Sequence, residues 1–196
     1  MNILREVQEK RYILASKSPR RAELLKQIGL NFRSVDSNSE EFEPDFHDPV
    51  KIVKHNSLLK SRNVALNHKN EIVIGADTIV MINRKILHKP ESLSSAKKYL
   101  KELSGKKHYV YTGINIINTK NGREVFDYEK TIVHFRDLKD YEIEYYVNKY
   151  KPLDKAGAYG IQDDFGCLFI RKIEGDYYNI VGMPLVKLYE TIQKVL

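Results

Sequence analysis

The sequence predicts an α/β fold, because short apolar segments alternate with longer segments of helical periodicity along its 196 residues. Residues 12–15 form a short apolar run that predicts a strand, and the amphipathic segment after it ends at Gly29. A second helix is predicted over residues 49–69, before a continuously apolar, β-branched run at 72–74 that is typical of a buried strand. A chain of this length suits one domain, residues 1–196, in which a second lobe is an excursion from a single sheet without a separable linker.

The remaining elements continue this alternation. Asn83 and Arg84 are predicted to form a hairpin turn before a return strand at 85–87. The other predicted elements are strands over 31–35, 108–117, 124–135, 168–173 and 178–181, helices over 92–104 and 138–150, a hairpin turn at Asn121-Gly122, and a final helix after Pro184.

The junction between the first strand and its helix has an unusual charge pattern. Ser18 is a favourable N-cap, and Pro19 suits the first helical position, where no backbone donor is needed. Arg20 and Arg21 place two cations in the first turn, where the helix dipole favours anions. With the Ser16 hydroxyl and free backbone amides, they predict a cradle for a polyphosphate. The alternative is a solvated helix start with two surface arginines. In the cradle interpretation, Arg21 serves an incoming anion and does not stabilise the ligand-free fold.

Asp77 is the strongest acid–base candidate in the chain. It interrupts an apolar run, between predicted strands at 72–74 and 79–82, and Thr78 follows it. A carboxylate in such a position costs free energy unless it is paired or bound to a metal. Groups of this kind concentrate at functional sites, although a capped turn is a structural alternative.

Two segments offer further polar groups. Lys60 falls near an apolar side of the helix predicted at 49–69, where its side chain either snorkels to solvent or points into a cleft. Glu40 and Glu41 lie in the acidic segment 37–48, which is either simply solvated or able to hold a divalent cation beside the phosphate cradle.

A glycine-containing segment at 154–162 is the third informative stretch. Gly157 and Gly160 allow the backbone to approach a ligand closely. Gln162 ends the segment and offers both a donor and an acceptor on one amide.

The composition is that of an ordinary globular chain with a basic balance. Lys and Arg total 33 against 26 Asp and Glu, and the net charge of +7 attracts phosphates. These cations are spread along the chain rather than gathered in a stripe, which argues against nucleic-acid binding. No apolar run reaches the ~18 residues of a spanning helix. The N-terminal residues lack a secretory apolar core, and the single cysteine, Cys167, rules out an internal disulfide. We therefore expect a cytoplasmic protein that binds no membrane.

Six segments follow one another in an order that is specific as a set. They are LASKSPRRAELL at 14–25, GADTIV at 75–80, HKP at 88–90, LSGKKHYVYTG at 103–113, DKAGAYGIQ at 154–162 and GDYYNIVGMPL at 175–185. Together they resemble the Maf family of nucleotide pyrophosphatases. The resemblance implies an inosine-triphosphatase-like fold, with a mixed sheet flanked by helices, two lobes around a deep cleft, and often a homodimer. It also implies hydrolysis of a nucleoside triphosphate to the monophosphate and pyrophosphate, with Mg²⁺ or Mn²⁺ as cofactor.

The resemblance implies roles for individual residues. Asp77 matches the general base of the family. The phosphate-binding positions are Ser16, Arg20, Arg21, Lys60 and Lys89. The metal positions are Asp77 and Glu41, and a shift of one residue would place the latter at Glu40. The chain departs from the family pattern at Ser61, where alanine is usual, and at Ser39-Glu40-Glu41, which replaces an Asp-Glu pair.

The resemblance also implies a substrate preference. Thr78 and Gln162 match the branch of the family that acts on thymidine and uridine triphosphates, and Arg20 is a further specificity residue. The imide edge of thymine or uracil alternates acceptor, donor and acceptor, which suits the Gln162 amide. The competing class is a non-enzymatic nucleotide- or nucleic-acid-binding regulator of cell division. Asp77 favours the enzyme, because a carboxylate facing phosphates repels the ligand of a simple binder.

Overall fold

The computed structural model describes residues 3–39, 48–162 and 164–196 of the chain. The helices within these residues are α1 (Ile3–Glu9), α2 (Pro19–Gln27), α3 (Pro49–Ala65), α4 (Leu93–Leu103), α5 (Asp140–Tyr150), α6 (Tyr177–Val181) and α7 (Leu185–Val195). The strands are β1 (Tyr12–Leu14), β2 (Phe32–Ser34), β3 (Ile72–Ile82), β4 (Lys85–Leu87), β5 (Lys107–Asn118), β6 (Glu124–Phe135) and β7 (Ile170–Glu174). Short 3₁₀ segments at Ala156–Ala158 and Asp164–Phe169 lie between α5 and β7.

The described strands form one mixed sheet. Their order is β2-β1-β3-β5-β6-β7, and β4 pairs with β3 outside this path. β1 runs parallel to both of its neighbours, with Tyr12 opposite Phe32 on one side and Ile72 on the other. β3 and β4 are antiparallel, as are β6 and β7. The mixed α/β architecture expected from the sequence is therefore confirmed.

The chain divides into two compact units. The first comprises Met1–Asp77, Thr112–Glu129 and Gly182–Leu196, and the second comprises Thr78–Tyr111 and Lys130–Val181. The division falls inside β3, directly after the candidate catalytic carboxylate, and also inside β5 and β6. These three strands therefore supply residues to both units.

In the first unit, α3 packs closely on the sheet because two strand residues lack side chains. A Cβ atom on Gly75 would collide with the Ser57 carbonyl oxygen, and one on Gly113 would lie 2.7 Å from the Val53 carbonyl oxygen. Glycine at both positions lets the helix backbone approach β3 and β5 more closely than any other residue would allow. Lys60, on the same helix, is thereby brought within reach of the residues that follow Gly75.

The second unit has its own apolar core. Its buried members include Leu100, Val110, Val133, Tyr146 and Phe169. Helices α4 and α5 pack against each other around this core.

The predicted hairpin between β3 and β4 is confirmed, because Asn83 and Arg84 have φ values of 49° and 65°, as a type I′ turn requires.

One predicted strand is wrong, because residues 178–181 belong to helix α6. Asp176 Oδ1 accepts a hydrogen bond from the Tyr178 amide at 2.8 Å, which stabilises the start of the helix. Asn179 Nδ2 donates to the Val110 carbonyl at 3.0 Å and to Thr131 Oγ1 at 2.9 Å. These anchors hold the segment as a helical turn, so tertiary context overrides the strand propensity of its aromatic and β-branched residues.

The structure differs from the prediction at two other elements, one a strand and one a helix. β3 is one continuous strand, so Asp77 lies within a strand rather than between two. Helix α1 forms near the N-terminus, where no element was expected.

No helix formed by the described residues combines the length and the apolar character needed to cross a lipid bilayer.

Candidate functional site

The predicted cap of α2 is confirmed. Ser18 is its N-cap, with Oγ accepting from the Arg21 amide, and Pro19 occupies the first turn. Ser16 Oγ accepts from the Ser18 amide at 3.2 Å, so the two hydroxyls shape the turn between β1 and α2. Arg20, next to the proline, is half-buried. The turn thus presents hydroxyls and helix N-terminal amides, which are the groups that bind phosphate oxygens.

Arg21 is buried, with 9% of its surface exposed, and its guanidinium binds the protein itself. Nε donates to the Gly182 carbonyl at 2.9 Å, and Nη1 donates to the Ala76 carbonyl at 2.8 Å and to Ser16 Oγ at 3.3 Å. None of these bonds follows from the unfavourable position of Arg21 in the helix dipole. Arg21 joins the β1–α2 turn to the middle of β3 and to the chain before α7, so it supports the fold of the first unit.

The buried carboxylate of Asp77 is paired. Asp77 is 5% exposed; its Oδ1 lies 2.6 Å from Lys60 Nζ, and its Oδ2 accepts from Asn56 Nδ2 at 3.1 Å. Lys60 Nζ also lies 3.5 Å from the Ala76 carbonyl oxygen. Of the two alternatives left open for Lys60, the side chain points inward to the carboxylate and does not snorkel.

Asn56 was missed by the sequence reasoning. It lies one turn before Lys60 on α3, so both side chains leave the same face of the helix and reach the same strand residue. The signal was present in the sequence, because Asn56 is a polar residue on a side of the helix that is otherwise occupied by buried residues such as Ile52 and Val53.

A second polar network fixes α3 through Ser61 and Arg62, the two residues that follow Lys60. Arg62 Nε and Nη2 donate to the two carboxylate oxygens of Glu124, each at 2.9 Å. Asn115 Nδ2 donates to Ser61 Oγ at 2.7 Å and to Glu124 Oε1 at 2.8 Å. The hydrogen bonds from Arg62 hold the pKa of Glu124 below its usual value. Ser61, where the resemblance led us to expect alanine, is therefore a hydrogen-bonded member of the contact between α3 and the sheet.

Three predicted site residues belong to the second unit. Thr78 follows Asp77 in β3 and is half-buried, whereas Lys89 and Gln162 are exposed. Gly157 has a φ of 70°, and a Cβ atom there would lie 3.1 Å from the Val80 side chain. The close approach that this glycine permits is thus to its own unit's strand β3.

Of the two carboxylates predicted to bind a cation, Asp77 lies among the described residues. Glu40 and Glu41 lie outside the described residues. Among residues 3–39, 48–162 and 164–196, no group of three or more His, Cys, Asp or Glu side chains is placed to hold a metal ion. Asp77 retains lone pairs on both oxygens beyond its bonds to Lys60 and Asn56. One carboxylate fits Mg²⁺ or Mn²⁺ that arrives with substrate phosphates and keeps several waters, which is the usual mode for these ions.

Comparison with known proteins places the chain in a family. The profile described as Maf-like protein matches residues 11–195. A protein named dTTP/UTP pyrophosphatase from Dictyoglomus thermophilum is 43% identical over 95% of this chain and 97% of its own length. Proteins of the same name from Thermoanaerobacter sp. and Thermotoga maritima are 48% and 45% identical, over 93% and 92% of this chain and 95% and 87% of their own lengths. The solved structure of the Staphylococcus aureus Ham1 protein is 15% identical, with a TM-score of 0.48 over 66% of this chain and 74% of that chain. The extent of the profile match and the identity to these relatives establish that the chain belongs to the Maf-like protein family.

Proposed function

We propose that this chain is a nucleoside triphosphate pyrophosphatase that hydrolyses dTTP and UTP to the nucleoside monophosphate and pyrophosphate. The observation that carries the proposal is the buried Asp77 carboxylate, paired with Lys60 and joined to the β1–α2 turn through the bond from Arg21 to Ala76. Relatives that carry this activity in their names match more than nine-tenths of the chain, which supports the choice of substrate.

Asp77 is proposed as the general base that orients and deprotonates the attacking water. Hydrolysis breaks the bond between the α- and β-phosphates and releases pyrophosphate, and negative charge spreads over phosphoryl oxygens in the transition state. Positive charge and preorganised hydrogen bonds are proposed to stabilise that charge, supplied by Ser16, Arg20, Arg21, Lys60 and Lys89. Lys60 is suited to move between partners, because an ammonium on a flexible stem can turn from a carboxylate to a phosphate.

Asp77 and Glu41 are the proposed protein ligands for Mg²⁺ or Mn²⁺. When bound, the cation would neutralise phosphate charge and acidify a bound water. We also propose a cytoplasmic location, where nucleoside triphosphates are found, and a homodimer without nucleic-acid or membrane partners. The dispersed distribution of lysines and arginines along the chain supports the absence of a nucleic-acid partner.

The proposal is tested by pyrophosphate release from a panel of nucleoside triphosphates, with Mg²⁺, with Mn²⁺ and with chelator. Running the reaction in ¹⁸O-labelled water shows whether the new oxygen enters the monophosphate or the pyrophosphate, which identifies the phosphorus that is attacked. We expect dTTP and UTP to give the highest kcat/KM and Asp77→Asn to lower the rate of release at least ~10²-fold. Tight nucleotide binding without turnover, measured by calorimetry, would instead favour the non-enzymatic regulator.

A further inference from the structure

We propose that Asn56 is a positioning residue, which holds the Asp77 carboxylate in the orientation that its role as general base requires. The inference rests on the proposed function, because it assigns a task to Asn56 in that reaction. Asn56 lies outside the sequence motifs described above, and the names of the relatives assign it no role.

The geometry of the carboxylate supports this assignment. Among the described residues, Asp77 has one partner on each oxygen, Lys60 on Oδ1 and Asn56 on Oδ2. Two contacts on opposite oxygens fix the plane of the carboxylate, whereas either contact alone leaves rotation about the Cβ–Cγ bond. The orientation of the Asn56 amide follows from the same contact, because its carbonyl oxygen would face the carboxylate oxygen unfavourably if the amide were reversed.

The two partners of Asp77 differ in what a triphosphate does to them. Lys60 is positively charged, and a triphosphate carries more negative charge than the single carboxylate to which Lys60 is bound, so substrate competes for it. Asn56 is neutral and is not drawn to phosphate in the same way. When Lys60 turns to the substrate, Asn56 is the partner that keeps Asp77 in place.

The burial of Asn56 also indicates a task other than stability. The residue is 5% exposed, and its Oδ1 has no hydrogen-bond partner among the described residues. A buried acceptor without a partner costs roughly 1–3 kcal/mol, so an apolar side chain of similar size would suit this helix better in packing terms. A polar residue retained at such a cost is expected where activity sets the requirement.

The test compares Asn56→Leu with Ser57→Ala, its neighbour on α3. Ser57 is also buried, but its hydroxyl donates to the Lys54 carbonyl within the helix. For Asn56→Leu we expect kcat for dTTP to fall roughly 10- to 100-fold, the range for lost support of a reactive group, with KM changed less than about threefold. Loss of the unpartnered oxygen offsets only part of the cost of the donor that the buried Asp77 Oδ2 loses, so rates are compared below the melting temperature of the variant. Ser57→Ala should keep wild-type kcat.

A double-mutant cycle separates positioning from general damage to the fold. In the Asp77→Asn background there is no base to position, so adding Asn56→Leu should lower the residual rate by less than about twofold. A purely structural role would instead lower the rate by the same factor in both backgrounds. If Asn56→Leu fails to fold, Asn56→Ser serves as a smaller polar substitute in the same cycle.

The outcomes distinguish this inference from the proposed function. Wild-type kcat in a folded Asn56→Leu, or equal losses in both backgrounds, overturns the positioning role while the pyrophosphatase activity stands. Absence of pyrophosphate release by the wild-type chain from every nucleoside triphosphate overturns both.

Discussion

Arg21 Nη1 donates a hydrogen bond of 2.8 Å to the backbone carbonyl of Ala76, the residue before Asp77. The same side chain contacts Ser16 in the β1–α2 turn, and Lys60 also approaches the Ala76 carbonyl. The proposed phosphate-binding turn and the proposed base are therefore parts of one hydrogen-bonded assembly in the first unit. Substitution of Arg21 should therefore perturb both the β1–α2 turn and the position of Asp77.

Arg21→Ala should lower the stability of the ligand-free protein. The Gly182 carbonyl loses the donor from Arg21, and the Ala76 carbonyl keeps only the longer contact from Lys60 Nζ at 3.5 Å. A buried group left unsatisfied costs roughly 1–3 kcal/mol. We expect a total loss of about 2–4 kcal/mol, measured by urea unfolding without nucleotide. Arg20→Ala removes the neighbouring, half-buried arginine and is the matched control, for which we expect a smaller loss. An Arg21→Ala variant as stable as the wild type would restore the sequence-based view that Arg21 serves only an incoming anion.

Asp77→Asn should lower the rate of pyrophosphate release at least ~10²-fold, the lower end for removal of a general base. The structure adds a second consequence, because Lys60 loses its counter-ion while its side chain stays 9% exposed. Breaking one partner of a buried ion pair typically costs roughly 3 kcal/mol or more. Rates should therefore be compared below the melting temperature of the variant.

A double variant serves as the control for that stability loss. Lys60→Met combined with Asp77→Asn removes both charges, so it should recover part of the lost stability while remaining inactive. Near-wild-type turnover by Asp77→Asn would exclude Asp77 as the base.

Local sequence patterns predicted the secondary structure around the site better than the contacts between its side chains. The cap at Ser18 and the amphipathic helix that carries Lys60 depend on neighbours in sequence, and both are confirmed. The partners of Arg21 and Asp77 are long-range. Gly182 lies far along the chain, and the position of Asn56 on a buried helix face does not show that its partner is Asp77 until α3 is placed on β3. Periodicity shows which face of a helix is buried, but not which strand residue that face meets.

Patterns of glycine and aromatic residues were the least informative about local structure, because here too the deciding contacts are long-range. Gly157 suggested close approach of a ligand, and the structure shows close approach of Val80. The segment at 178–181 has the composition of a strand, but the side-chain anchors of Asn179 make it helical. In both cases the deciding contact comes from a residue distant in sequence, which a local pattern does not contain.

His108 should make the stability of the protein sensitive to acid. Burial, with a smaller effect from the charge of His134, lowers the pKa of His108 from 6.5 to about 3. Because the folded pKa is below the unfolded one, the unfolded state binds more protons between these values. The stabilisation from the neutral ring is complete above pH 6.5 and is lost as the pH falls, by about 1.4 kcal/mol per pH unit in that window.

Replacement of His108 should reduce this dependence. His108→Gln keeps an acceptor for Tyr159, whose hydroxyl lies 2.7 Å from His108 Nε2. We expect the free energy of unfolding of this variant, measured in urea from about pH 7 to about pH 4.5, to fall less steeply with acid than that of the wild type. His55→Gln, at an exposed position on α3, is the matched control and should keep the wild-type slope. Equal slopes for His108→Gln and wild type would contradict the prediction.

Gln162 should determine preference among pyrimidine nucleotides. Its side chain is exposed in the second unit, and its amide can pair with the imide edge of thymine or uracil by one donor and one acceptor. Cytosine presents a donor at C4 and an unprotonated N3, so an amide held in a fixed orientation would face like groups. Discrimination by hydrogen bonds can reach ~10⁴, but a side-chain amide can rotate, so we expect a much smaller preference over CTP.

The measurement is kcat/KM for dTTP, UTP, CTP and GTP with the wild type and Gln162→Glu. Glutamate is nearly isosteric but lacks the amide donor, so the ranking should change and the values for dTTP and UTP should fall most. Purines should be poor substrates of the wild type, because a pocket fitted to one ring excludes the larger base. Gln27→Glu, the same substitution at an exposed position at the end of α2, is the matched control and should keep the wild-type ranking. A wild-type preference for GTP, or an unchanged ranking in Gln162→Glu, would exclude Gln162 from base recognition. The assignment of Asp77 would be unaffected, because it depends on pyrophosphate release and not on which base is preferred.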